Sequence, residues 1–109
     1  AKRSGRLVSD TASERARQWV RWNMARLNDG GYRQAVELLC NGDLLADLPP
    51  AMPVRVACGT LDVVTTPEAC ADVARGCGVT LEPIEGAGHA SYVERPEVVA
   101  ALLREALAA

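Results

Sequence analysis

Residues 53 to 108 alternate strand and helix signals, and this alternation limits the fold more than any other feature of the 109-residue chain. Val54-Arg-Val-Ala-Cys58 is a short β-branched run that stops at Gly59, and Val79-Thr-Leu-Glu-Pro-Ile84 is a second, so both read as strands. Between them Thr66 supplies an N-cap and Pro67 a first helical position. Cys70, Val73 and Ala74 then make an apolar face that leaves Asp72 toward solvent, and Gly76 is the expected left-handed stop. Pro96 starts a last helix with Val99, Leu102, Leu103 and Ala106 on one face. Strands separated by helices of this length pair in parallel. Pro83 has no N–H to give a ladder, which places the second strand at an edge. Parallel sheets are covered by helices on both faces and usually hold about four or more strands. Two strands therefore describe the end of an α/β fold, and the chain is not expected to fold stably by itself.

The first half reads as helices. Thr11-Ala-Ser-Glu14 has the capping-box spacing, a hydroxyl and a carboxylate placed to satisfy the orphan amides of a helix start. Ala12, Ala16, Trp19, Val20, Asn23 and Leu27 then share a face, and Asn28-Asp-Gly-Gly31 ends that helix with turn residues. A second helix carries Tyr32, Ala35, Val36 and Leu39 at i, i+3, i+4, i+7 and ends at Asn41-Gly42, with Tyr32 expected in the core. Leu48-Pro-Pro-Ala-Met-Pro53 is an extended connector, because its prolines forbid a continuous helix.

Composition narrows the function classes. Lys plus Arg is 12 against 14 Asp plus Glu, a net charge of −2 with no basic stripe, which argues against nucleic acid as a partner. No apolar run approaches the roughly 18 residues of a membrane span, and the polar opening to Asp10 lacks the apolar core of a secretory signal. Cys40, Cys58, Cys70 and Cys77 form no CxxC pair and lie far in sequence from the single histidine, so no metal site is expected. Four reduced, buried thiols in a cytoplasmic protein are the expectation.

Two residues have placements that suit chemistry. Asp62 follows the first strand on the loop Gly59-Thr-Leu-Asp62, and His89 follows the second on Gly86-Ala-Gly88-His89. Both lie beyond the carboxyl ends of parallel strands, where open α/β sheets hold their ligands. A carboxylate beside an imidazole fixes its tautomer and stabilises the imidazolium, and the imidazole deprotonates a nucleophile. Taken singly, an Asp after a strand is a turn residue more often than a catalyst, and a lone His is more often structural. The equivalent placement of the two raises both.

These residues carry a family resemblance. Pro53-Val-Arg-Val-Ala-Cys-Gly59 with Asp62 and Thr66-Pro67-Glu68, then Glu85-Gly-Ala-Gly-His89 and Glu94-Arg-Pro-Glu97, resemble the carboxyl-terminal portion of the α/β-hydrolase fold. The likeness is to the branch of 3-oxoadipate enol-lactonases, haloperoxidase-like esterases and meta-cleavage hydrolases. It implies the last two parallel strands with their helices plus cap helices. Residues 1–30 would be part of the cap and 31–109 part of the core. It implies Asp62 as triad acid and His89 as triad base, with no cofactor and no metal. The Gly-x-Ser-x-Gly nucleophile elbow is absent, since Ser4, Ser9, Ser13 and Ser91 all lack its context. An N-terminal half carrying the Ser nucleophile and oxyanion hole is therefore the implied partner, and the chain order Ser, acid, His fits that division. Arg55 stands where the family's strand is usually apolar.

Cap helices roof the active site in such enzymes, which makes Trp19, Trp22 and Met24 candidate substrate-binding residues, although helical aromatics are more often packing residues. The implied substrate is a small ester, an enol-lactone or a compound with a cleavable C–C bond. Two other readings stay open. One is a non-catalytic chain that folds by docking on a partner; a homo-oligomer is a separate possibility. The other is a segment of an Asp-nucleophile dehalogenase or epoxide hydrolase.

Overall fold

A computed structural model describes residues 4–108, leaving Ala1 to Arg3 of the basic opening and Ala109 outside the described residues. Five helices and two strands follow in the order α1 (Glu14–Ala25), α2 (Asp29–Asn41), β1 (Val56–Gly59), α3 (Pro67–Cys77), β2 (Leu81–Ile84), α4 (Ser91–Glu94) and α5 (Pro96–Ala108). Short 3₁₀ turns sit at Ser4–Arg6 and Leu45–Asp47. The fold is mixed α/β. The strands pair in parallel, Val56 opposite Leu81 and Gly59 opposite Ile84, so both loops leave the sheet at the same end.

Each strand begins two residues later than its sequence run suggests. At the wet end of the pair Arg55 explains its own presence. Its Nε donates to Glu82 Oε2 at 2.9 Å and its Nη2 to Glu105 Oε2 at 2.9 Å, so one guanidinium ties β1, β2 and α5. That hydrogen bond holds the Glu82 carboxyl below the usual carboxylate range. Beyond it the apolar face of α5 stands off the sheet across a cleft of about 320 Å³ lined by Ala57, Ile84, Val99, Leu102, Leu103 and Ala106.

Helix α3 crosses between the strands and buries Ala74. Thr66 caps it, accepting the Ala69 N–H at 3.3 Å. The stop is Gly78 and not Gly76. Gly78 takes φ 69° and its N–H reaches back to the carbonyls of Ala74 and Arg75, while Gly76 lies inside the last turn with its Cα against Leu48. The Thr11–Glu14 box is likewise displaced. Ser13 is the cap of α1, its Oγ accepting the Ala16 N–H at 3.1 Å. Asn28, expected to stop α1, instead starts α2 by accepting the Gly31 N–H at 3.0 Å, so Gly30 and Gly31 belong to a helix.

Packing departs further from expectation. The stripe of α1 that turns inward is Ala16, Val20 and Met24, which meets Val8, Ala90 and Val93. The first helix and the region after His89 thus share one small core. Helix α2 buries nothing, and every residue from Ala25 to Asp47 is exposed, Tyr32 included. Of the thiols only Cys58 is buried. Cys40 is exposed, and Cys70 and Cys77 are half-buried. The accessible surface is 8014 Å². A compact monomer of 11.6 kDa exposes about 5,800 Å². The exposed leucines of α2 and its flanks contribute to that surplus.

Candidate active site

The turn that ends β1 builds the acid. The Asp62 N–H returns to the Gly59 carbonyl at 3.1 Å, which throws the side chain past the end of the sheet. Asp62 Oδ1 then accepts the N–H groups of Val64 at 2.8 Å and Thr65 at 3.0 Å, an Asx-type arrangement that folds the loop around the carboxylate. The residue is 6% exposed, close to full burial for an acid.

The second loop is bolted to the first. Leu61 N–H donates to the Ala87 carbonyl at 2.9 Å, Thr60 N–H to the Ile84 carbonyl at 3.1 Å, and Gly86 N–H to the Thr60 hydroxyl at 2.9 Å. The loops approach so closely that a Cβ on Gly59 would lie 2.3 Å from the Ala87 carbonyl oxygen and 2.4 Å from that of Gly88. Only glycine allows this backbone-on-backbone contact.

Across the join, His89 Nδ1 lies 2.9 Å from Asp62 Oδ2. The Thr65 hydroxyl is 3.0 Å from the same Oδ2 and 3.1 Å from Nδ1, closing a triangle of three side chains. Burial pushes the Asp62 carboxyl up. The hydrogen bonds from His89, Val64 and Thr65 together outweigh it and hold the group below the usual carboxylate range. An ionised carboxylate only accepts, so the Nδ1 hydrogen points at Asp62, and in the neutral imidazole the lone pair is on Nε2. The imidazole is partly open to solvent, and among the described residues Nε2 has no hydrogen-bond partner. An oriented imidazole with a free basic nitrogen can take a proton from a neighbour and return it.

No family model, curated protein or solved structure matches the chain.

The other candidates lie elsewhere. Trp19 and Trp22 are half-exposed on α1, edge to face at 5.6 Å, with the Arg26 guanidinium 4.5 Å from the Trp22 ring centre. They line open surface hollows of about 420–440 Å³ that include neither Asp62 nor His89. Met24 projects from the opposite side of α1 into the small core. The structure thus brings Asp62 and His89 together, while Trp19 and Trp22 line surface hollows on α1 and Met24 packs in the small core that holds Ala90. Thr65 was missed by the sequence reading, which took the next residue, Thr66, as the cap. Its signal was the spacing Asp62-x-x-Thr65, the register at which a hydroxyl can fold back on a loop carboxylate. Among the described residues no three His, Cys, Asp or Glu side chains cluster as metal ligands, and no helix is long and apolar enough to cross a membrane.

Proposed function

We propose that the chain is the carboxyl-terminal segment of a serine hydrolase of the α/β-hydrolase type, contributing the acid and base of a catalytic triad. The observation that carries this reading is the 2.9 Å hydrogen bond from His89 Nδ1 to a buried Asp62, made between loops at the same end of two parallel strands. In this reading a serine on a companion segment sits against His89 Nε2. His89 takes the hydroxyl proton as the oxygen attacks the substrate carbonyl carbon, and Asp62 stabilises the imidazolium that results. His89 then passes the proton to the leaving group. Water, deprotonated by the same nitrogen, releases the acyl group as a carboxylic acid. Small esters, enol-lactones and substrates cleaved at an activated C–C bond all suit this sequence of steps.

Two features support a companion segment. The surplus of exposed area over a compact monomer is about 2,000 Å², the scale of a large protein interface. Leu38 and Leu39 on α2 are 74% and 80% exposed, side chains that a finished fold covers.

Steady-state hydrolysis of a chromogenic short-chain ester by the assembled protein is the test. His89→Ala is expected to remove nearly all turnover, and Asp62→Asn to cost roughly 10⁴ in kcat with KM little changed. Wild-type rates in His89→Ala would sink the hydrolase reading.

A further inference from the structure

Glu94 makes no contact with Asp62, yet its carboxylate carries the histidine loop. It closes α4, one short helix after His89. Oε2 accepts the Gly88 N–H at 2.7 Å and the Ser9 N–H at 3.0 Å, and Oε1 accepts the Ser9 hydroxyl. Gly88 and Ser9 are both buried, and Ser9 is 3% exposed. On the other side of the histidine, Ala90 N–H donates to the Leu7 carbonyl at 2.6 Å. The residues flanking His89 are therefore tied to one amino-terminal strap, Leu7–Ser9, directly at Ala90 and through Glu94 at Gly88. The fit leaves no slack, since a Cβ on Gly88 would lie 2.7 Å from the Ser9 nitrogen and 3.0 Å from Glu94 Oε2.

We propose that Glu94 is a positioning residue for His89, with Ser9 as its counterpart, and this rests on the triad reading above. Hydrogen bonds to a carboxylate are about twice as strong as neutral ones. One carboxylate receiving three donors fixes the backbone before the histidine more firmly than a neutral acceptor would. Without it the Gly88 and Ser9 donors lose their acceptor, the loop shifts, and the imidazole leaves the Asp62–Thr65 triangle. Glu94→Gln keeps a carbonyl oxygen for the two N–H donors, and its amide can donate to the Ser9 hydroxyl, which then accepts. The conservative variant should thus restore what Glu94→Ala loses.

The experiment uses the assembled hydrolase with the chain isotope-labelled. It reads ester turnover together with the downfield proton resonance of His89 Nδ1–H, a signature of the bond to Asp62. Glu94→Ala is expected to lose about 100-fold in kcat with KM nearly unchanged, and to lose the resonance, as a displacement of about 1 Å at a catalytic group does. Glu94→Gln should stay within several-fold of wild type and keep the resonance. Glu94→Ala with wild-type kcat and an intact resonance would overturn the proposal. So would a Gln variant as impaired as the Ala variant. If Glu94→Ala does not fold, Ser9→Ala decides. A several-fold loss of kcat with a weakened resonance supports the clamp, and unchanged values of both refute it. The resonance is read independently of turnover. Full activity in His89→Ala would remove the triad while leaving the effect of Glu94 on the imidazole standing or falling by itself.

Discussion

Between Gly59 and Ala90 the chain buries Gly59, Asp62, Ala74, Ile84, Ala87, Gly88 and Ala90, whereas between Ala25 and Asp47 it buries nothing. The second stretch is the richer in large apolar side chains, with Leu38, Leu39, Leu44 and Leu45 all more than half exposed. The first is held by polar links instead. Two loops exchange backbone hydrogen bonds, and one carboxylate gathers donors from both. Hydrophobic periodicity tells a helix which face to turn away from water, but it supplies no surface to turn toward. Loop-to-loop hydrogen bonds carry both partners within the chain, so neither group needs a surface from outside it.

This contrast can be broken or sharpened by four measurements. The largest effect is expected from Gly59→Ala, whose methyl would meet carbonyl oxygens that cannot move aside. Chemical denaturation should show a loss of about 3 kcal/mol or more. A loss under about 0.5 kcal/mol would mean that the loops are not locked.

Next come the thiols, which report the two regions directly. Burial, with the neighbouring Cys70 thiol adding to it, pushes the Cys58 thiol up to about 12. Cys40 lies exposed on α2. A thiol reagent at pH 8 should label Cys40 at least about 100-fold faster than Cys58, as followed by peptide mass. Equal rates would place both stretches in the same state. The exposure of Cys40 and the half-burial of Cys70 and Cys77 correct the expectation of four buried thiols.

Asp62→Ala strips the acceptor from Val64 N–H, Thr65 N–H and the Thr65 hydroxyl and should cost about 2–3 kcal/mol. The acid limb of the stability curve reads the same group. The folded carboxyl holds its proton less tightly than the unfolded one, whose ordinary value is 3.8. Its stabilisation is therefore complete above that value and is lost as pH falls below it toward the lower folded value. Asp62→Asn should flatten this limb in unfolding curves taken between about pH 5 and pH 2. An unchanged limb would assign the stabilisation to another acid.

The smallest effect belongs to α2. Leu38→Ser or Leu39→Ser should change the hydrogen-exchange protection of the loop amides Thr60, Leu61 and Gly86 by less than about 0.5 kcal/mol. A drop as large as that from Asp62→Ala would show the helix packed within the chain, and the comparison would collapse.

How much of this was written in the sequence differs by kind of feature. The strand–helix–strand order and the meeting of Asp62 with His89 were legible, because turn residues and β-branched runs mark strand ends, and parallel pairing brings successive ends together. Boundaries were less so. Thr11 and Ser13 both offer a hydroxyl to a helix start, and Gly76 and Gly78 both offer a stop. Backbone hydrogen bonds chose between them. Tyr32 was misplaced for a deeper reason, since periodicity marks an apolar register without telling how deeply the fold buries it, and Tyr32 is 41% exposed. The Ser9–Glu94 link left no local trace, because its partners stand 85 residues apart.

That separation has a consequence for the order in which the site is made. Asp62 and His89 close a loop of 27 residues, and Ser9 and Glu94 one of 85. The longer closure costs about 1 kcal/mol more chain entropy. The brace is therefore the costlier of the two closures to form, and it joins the first turns of the chain to its last helices. On the proposal above, the base is held at its post only once both of those ends have met.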